Sequence, residues 1–135
     1  MFKKLEDAFE YAPVPLRVGL AILFGFSGIN KLMDPAGTSQ FFGGLGFPLP
    51  DIMVWVAIAI EIVGALFLLL GFATRLTAIV LTVFLAIATT TAYIIPWDLS
   101  KLMMLVIHAP LIGATLSLIF SGPGAWSVDE RILWE

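Results

Sequence analysis

Four long apolar stretches constrain this chain more than any other feature of its sequence. They cover about residues 14–32, 52–70, 75–95 and 100–120. A helix needs roughly 20 apolar residues to cross the hydrocarbon core of a bilayer, and each stretch meets that length. Because 60% of the chain is apolar and only 13% is charged, a soluble fold would leave much of this surface in water. The sequence therefore predicts an all-α polytopic membrane protein, a single domain of four transmembrane helices.

The links between the four stretches set their arrangement. Only about three or four residues separate the second stretch from the third, and about as many separate the third from the fourth. Helices joined so closely must be antiparallel neighbours. Thr74 precedes the third stretch and is a candidate helix cap. We therefore expect an antiparallel bundle.

The first link, residues 33–50, is longer and rich in glycine and phenylalanine. We interpret it as an amphipathic segment that lies in the headgroup region between the first two helices. A lid over a substrate is the alternative, and the sequence leaves it open.

Basic residues are distributed unequally between the two sides of the predicted bundle. One side carries Lys3, Lys4, Arg17, Arg75 and Arg131, whereas the other carries Lys31 and Lys101. Cytoplasmic segments of membrane proteins are enriched in lysine and arginine. The sequence therefore predicts a multi-pass protein of the cell membrane with both termini in the cytoplasm.

The composition also excludes several kinds of site. The chain has no cysteine, so it forms no disulfide and no thiolate metal site of its own. With a single histidine, one chain cannot supply the two ligands of a bis-histidine haem. No run of lysine or arginine marks a nucleic-acid surface. We expect neither a metal nor a haem within the chain, and no nucleic-acid partner.

Each predicted helix carries polar or small residues along one stripe at helical spacing. The four stripes are Arg17, Phe24, Gly28 and Lys31, with Ser27 and Asn30 beside them; Ala57, Glu61, Gly64, Leu68 and Gly71; Arg75, Thr82, Thr89 and Tyr93; and Lys101, Met104, His108 and Thr115. Ionisable side chains at membrane depth are costly, so they normally face the interior of a bundle. We therefore expect the four stripes to face one another around a common polar interior.

Depth along the helices indicates which groups meet. Glu61 and His108 both lie near the middle of a helix, so we expect them to meet near the membrane midplane. Lys31 and Lys101 lie toward the outer side, and Arg17 and Arg75 lie toward the inner side. Alternatively, Glu61 simply neutralises one base, the lysines and arginines extend to headgroups, and His108 is a structural histidine.

These residues also carry a family resemblance. Leu16-Arg17 with Gly19-Leu20, Gly28-Ile29-Asn30-Lys31-Leu32, Gly46-Phe47-Pro48, Glu61 with Gly64, and Gly71-Phe72-Ala73-Thr74-Arg75 resemble the DoxX family of small four-helix membrane proteins. The resemblance covers about residues 14–95, and the last helix agrees mainly in hydropathy. It implies a four-helix bundle and an association with quinone-linked redox systems, because one relative is a subunit of a thiosulfate:quinone oxidoreductase.

Three functions follow as hypotheses. The first is a quinone-interacting or redox-accessory subunit, with Glu61 and His108 as catalytic groups and Arg17, Asn30, Lys31 and Lys101 as cofactor-binding groups. Its partners would be the lipid bilayer and an oxidoreductase subunit, and a homo-oligomer remains open. The second is a scaffold or assembly subunit whose buried charges fix helix register. The third is a transporter of small solutes or protons that uses Glu61 as its coupling carboxylate.

Overall fold

The computed structural model describes residues 8–95 and 99–133, and within these ranges it contains helices and no strand. The helices are α1 (Pro13–Met33), α2 (Pro35–Gly44), α3 (Pro50–Leu70), α4 (Thr74–Thr89), α5 (Leu102–Ser121) and α6 (Val128–Leu133). Short 3₁₀ turns precede α1 and α5, and α4 continues as a π-helix over Thr90–Ile94. Four helices, α1, α3, α4 and α5, are long and apolar enough to cross a membrane. The predicted all-α membrane fold is confirmed.

The helix ends follow local sequence chemistry. Proline occupies the first turn of α1, α2 and α3, where its missing N–H removes no intrahelical bond. The side chain of Asp34 accepts a hydrogen bond from the backbone N–H of Gly37 at 2.9 Å and caps α2. Gly71 ends α3 with a φ of 67°, a left-handed conformation in which glycine carries no steric penalty.

The four long helices pack as two closely packed pairs. The closest packing joins α1 to α3 and α4 to α5, while α3–α4 and α1–α5 contacts complete the bundle. Their core is built mainly from leucine, alanine and one phenylalanine: Leu20, Ala21, Phe24, Ala65, Leu68, Ala78, Leu81, Leu85 and Leu118. Many apolar side chains of the same helices remain exposed, as expected for surfaces that contact lipid. Of the four spans, α5 is the least buried.

The link between α1 and α3 forms the short helix α2. No residue of α2 is fully buried, and the helix packs mainly on α3. The Ser39 hydroxyl donates a hydrogen bond to the Asp51 carboxylate, which ties α2 to the first turn of α3. Its location in the headgroup region, or as a lid, stays a prediction.

The chain after α5 folds back across one end of the bundle. We call this the termini end; there α1 and α4 begin and α3 and α5 end, and the opposite end, which carries α2, is the link end. The backbone N–H of Ala125 donates to the carbonyl of Glu10 at 2.7 Å, and that of Asp129 donates to the carbonyl of Gly71 at 3.0 Å. The C-terminal segment therefore connects α1 with α3.

Candidate functional site

A closed set of hydrogen bonds joins α1 to α3 inside the membrane-spanning region. Lys31 Nζ lies 2.8 Å from Glu61 Oε2 and 3.0 Å from Glu61 Oε1, so the two side chains form an ion pair. Lys31 Nζ also donates to Ser27 Oγ at 2.7 Å, and Ser27 donates onward to Glu61 Oε1 at 3.0 Å. We refer to these three residues as the Ser27–Lys31–Glu61 cluster.

Helix geometry explains how the cluster forms. Side chains on a helix lean toward its N-terminus, so the long stem of Lys31 runs back by one turn to Ser27. The two helices approach closely at this level because α1 has Gly28 there. A Cβ at Gly28 would lie 2.7 Å from Ile62 Cγ1 and 3.1 Å from Glu61 Cβ. The absence of a side chain at Gly28 thus allows Glu61 to reach Lys31.

The cluster is buried on one side and partly open on the other. The side chain of Glu61 is 4% exposed, whereas that of Lys31 is 21% exposed. An isolated charge at this depth would be strongly disfavoured, and pairing with hydrogen bonds offsets that cost. Glu61 is therefore held as the inner member of a pair whose outer member remains accessible from the surface of the bundle.

His108 does not join this cluster, so the expected meeting of Glu61 and His108 is wrong. Its Nδ1 forms a hydrogen bond of 2.8 Å with the carbonyl of Met104, and its ring lies 5.0 Å from that of Tyr93. These contacts are within α5 and across to the π-helix that follows α4. His108 is on the other helix pair, and Glu61 takes its hydrogen bonds from α1.

Arg17 is also separate from Glu61, contrary to the expectation of one common polar interior. It is 2% exposed and donates hydrogen bonds to the backbone carbonyls of Pro123, Ala125 and Trp126. Three acceptors from one loop indicate that Arg17 holds the C-terminal segment against the bundle. Its position gives it a structural role at the termini end.

The two remaining predicted ligands lie in different places. Asn30 is exposed on α1 next to Lys31, and its side chain has no hydrogen-bond partner among the described residues. Lys101 donates to the carbonyl of Ala92 at 3.3 Å, so it belongs with the α4–α5 pair. The structure thus brings Lys31 and Glu61 together, with Asn30 exposed one residue before Lys31, and leaves Arg17, Lys101 and His108 elsewhere.

The predicted stripes are partly correct. The entire stripe of α3, from Ala57 to Gly71, is buried. On α4 the buried positions begin at Thr74 and Thr77, and Arg75 is exposed. Thr82 of α4 donates to Thr115 of α5 at 2.8 Å. Each helix pair has its own polar contacts, and these replace the single shared interior that we expected.

One helix-capping contact has no signal in the local sequence. The Asp129 carboxylate accepts hydrogen bonds from the backbone N–H groups of Ala73 at 2.6 Å and Thr74 at 2.8 Å. It caps α4, the role predicted for Thr74 itself. Asp129 and the start of α4 are more than 50 residues apart in the sequence, and the folded-back C-terminal segment brings them together.

The fold and the buried ion pair define a small four-helix integral membrane protein with an intramembrane polar site. The DoxX family model matches residues 12–94. The chain therefore belongs to the DoxX family. No solved structure matches it significantly.

Relatives in two bacteria agree with this assignment. The chain is 31% identical over 121 residues to the inner membrane protein YphA of Escherichia coli (strain K12), covering 85% of the chain and 86% of YphA. It is 32% identical over 133 residues to the inner membrane protein YqjF of the same organism, covering 96% of each. It is also 37% identical over 75 residues to CatD of Bacillus subtilis (strain 168), which is named provisionally as an oxidoreductase; the match covers 56% of the chain and 54% of CatD.

Proposed function

We propose that this DoxX-family chain is the membrane subunit of a quinone-linked redox system and that Asn30, Lys31 and Glu61 form its quinone-interacting site. The observation that carries the proposal is the Lys31–Glu61 ion pair at membrane depth. Ionisable residues in membrane spans are rare and commonly mark proton or substrate pathways. The provisional oxidoreductase name of CatD supports the same class of function.

The donor groups fit a quinone headgroup. A quinone needs hydrogen-bond donors at its carbonyl oxygens, and Lys31 Nζ is a strong donor that is partly exposed at the bundle surface. The exposed amide of Asn30, one residue away, is a second donor. Phe26 on the same helix is exposed and supplies an apolar surface beside these groups, whereas Phe24 is buried in the core and cannot flank a ligand.

Glu61 would hold and release a proton in this arrangement. Lys31 Nζ now contacts three oxygen atoms of Ser27 and Glu61, so binding a ligand carbonyl requires it to give up at least one of them. A carboxylate that loses its counter-charge in an apolar environment is disfavoured, so Glu61 would then take up a proton. A bound quinone would accept two electrons from a partner oxidoreductase and two protons, and would leave as a quinol.

Thermal unfolding of the purified protein with short-chain ubiquinone or menaquinone analogues tests this proposal. An analogue should raise the Tm of the wild type, and Glu61→Gln and Lys31→Met should remove that rise. Thr82→Val is the matched control, because it removes an interhelical hydrogen bond in the other helix pair. If neither analogue changes the wild-type Tm, the proposal is wrong.

A scaffold function is the second candidate, and one observation favours it. The cluster is internally satisfied: Ser27 accepts from Lys31 and donates to Glu61, so the three side chains already pair with one another. Buried polar groups of this kind can fix helix register and assembly. On this alternative, Glu61→Gln lowers the yield of a copurifying partner, while turnover per assembled complex stays unchanged and no quinone analogue protects the protein.

A further inference from the structure

A cavity of about 330 Å³ lies at the termini end, where α4 begins. Phe72, Leu76, Pro123 and Ile132 supply its apolar walls, and Thr74, Arg75 and Asp129 supply its polar groups. The membrane span of α4 begins at Thr74, so this cavity is level with the boundary between hydrocarbon and lipid headgroups. The cavity is at the end of the bundle where α1 begins, whereas Lys31 is near the opposite end of α1, and the cavity uses no residue of the Ser27–Lys31–Glu61 cluster.

Several hydrogen-bond donors around the cavity have no acceptor within the described part of the chain. The first amides of a helix lack intrahelical partners, and Asp129 takes those of Ala73 and Thr74. The next two backbone N–H groups, those of Arg75 and Leu76, have no acceptor among the described residues. An N-terminal helix turn with free amides favours an anion.

A buried hydroxyl provides an independent indication. Thr74 lines the cavity, is 1% exposed, and its Oγ1 has no hydrogen-bond partner. A buried hydroxyl without a partner is unusual in native proteins, since it loses its hydration without compensation. An oxygen-bearing ligand in the cavity would satisfy it.

Charge identifies the ligand class. Arg75 is exposed and forms no ion pair among the described residues, and its guanidinium lies over Gly122, 3.2 Å from where a Cβ would stand. Asp129 is already compensated, because its carboxylate caps α4 and its charge acts on Arg17. Arg75 is therefore the cation left to bind an external anion, and guanidinium groups match phosphate oxygens in geometry.

We propose that this cavity binds the phosphate of a membrane phospholipid with a net negative headgroup. The phosphate contacts the Arg75 guanidinium, the Thr74 hydroxyl and the free amides of the first turn of α4, and the apolar walls contact the glycerol and the start of the acyl chains. Since Pro123, Asp129 and Ile132 belong to the C-terminal segment, the bound lipid also fastens that segment to α4.

Thermal unfolding of the full chain in detergent micelles tests this proposal with phosphatidylglycerol, phosphatidylcholine or sodium phosphate as the added probe. Phosphatidylglycerol should raise the wild-type Tm by roughly 4 °C over phosphatidylcholine. Arg75→Gln should remove most of that rise. Arg131→Gln, which removes an exposed arginine of α6 that does not line the cavity, should retain it.

Thr74→Val keeps the shape of the side chain and removes only the unpartnered hydroxyl, so it should fold normally and show a weaker response to phosphatidylglycerol. Equal responses of Arg75→Gln and Arg131→Gln would show non-specific charge attraction and overturn the proposal. An equal rise with sodium phosphate would replace the lipid with a free anion and would overturn it as well.

Discussion

Lys31 Nζ and Glu61 Oε2 lie 2.8 Å apart, although the two residues are 30 positions apart in the sequence and belong to different membrane-spanning helices. Ser27 hydrogen-bonds to both of them. This contact joins α1 to α3 at the level where the absence of a side chain at Gly28 leaves room for Glu61 and Ile62 of α3. The same pair is thus a structural link between helices and the ionisable centre of the proposed site.

Removing both members of this pair should destabilise the bundle by less than the sum of the two single losses. We expect Lys31→Met and Glu61→Gln each to lower the free energy of unfolding by about 2–3 kcal/mol, because each leaves polar groups of the other unpaired. The value falls below that of fully buried pairs because Lys31 is partly exposed. The unfolding free energy lost in the double variant should be smaller than the sum of the two single losses by about 1 kcal/mol.

Denaturant titration of the four proteins in mixed micelles measures these values as a double-mutant cycle. Thr82→Val serves as a control for the loss of one interhelical hydrogen bond, which is worth about 0.6 kcal/mol in membrane proteins. Strictly additive losses at Lys31 and Glu61 would mean that the two side chains do not interact in solution.

A side chain at Gly28 should force α1 away from α3. In Gly28→Ala the new Cβ would lie 2.7 Å from Ile62 Cγ1 and 3.3 Å from the Ile62 backbone nitrogen, distances that require a shift of the helix. We expect a loss of about 1–3 kcal/mol of unfolding free energy, measured by the same titration. The shift also weakens the Lys31–Glu61 contact.

The same helix offers two matched controls for this substitution. A Cβ at Gly25 would meet Ala65 Cβ at 3.6 Å, an ordinary contact, and a Cβ at Gly19 would meet nothing within 4 Å. Gly25→Ala and Gly19→Ala should therefore be neutral or stabilising, because alanine favours the helix more than glycine does. Equal stability of all three variants would contradict the close approach at Gly28.

The cap supplied by Asp129 should contribute to the attachment of the C-terminal segment. Asp129→Ala leaves the amides of Ala73 and Thr74 without their acceptor, and losses of helix caps are typically about 1 kcal/mol. We expect faster proteolysis within residues 122–133, measured by limited digestion in detergent. Glu130→Ala removes the same charge one residue further on, where the structure shows no side-chain hydrogen bond, and should leave the digestion rate unchanged.

The transmembrane helices were predictable because each depends on a local property. Hydropathy over about 20 residues locates a span, and proline and glycine mark its ends. The predicted bounds fall within two residues of the helix bounds when the π-helix that continues α4 to Ile94 is counted with α4. The buried stripe of α3 follows in the same way from helical periodicity. Arg75 departs from its predicted stripe because the first turn of α4 lies at the bundle end, where a long charged side chain can turn outward.

Contacts between elements that are distant in the sequence were harder to predict from local sequence patterns. Position along the predicted helices puts Glu61 and His108 at the same depth in the membrane. Which side chains meet also depends on how each helix is rotated about its axis and on which helices pack together. Lys31 is near the end of α1, but its long aliphatic side chain extends back by one helical turn and brings the ammonium group to Ser27. Asp129 and Thr74 are 55 positions apart, and no periodic pattern connects them.

The orientation of the bundle can be tested directly, because the chain contains no cysteine and a single introduced thiol reports one position. Among the described residues, Arg17, Arg75 and Arg131 lie at the termini end, whereas Lys31 and Lys101 lie toward the link end. This excess of basic residues predicts that the termini end faces the cytoplasm. Ala36→Cys, in the exposed part of α2, should react with a membrane-impermeant maleimide in intact cells. Ala8→Cys, also exposed but at the termini end, should react only after permeabilisation. The reverse pattern would place the C-terminal segment and the Arg75 cavity on the outer face.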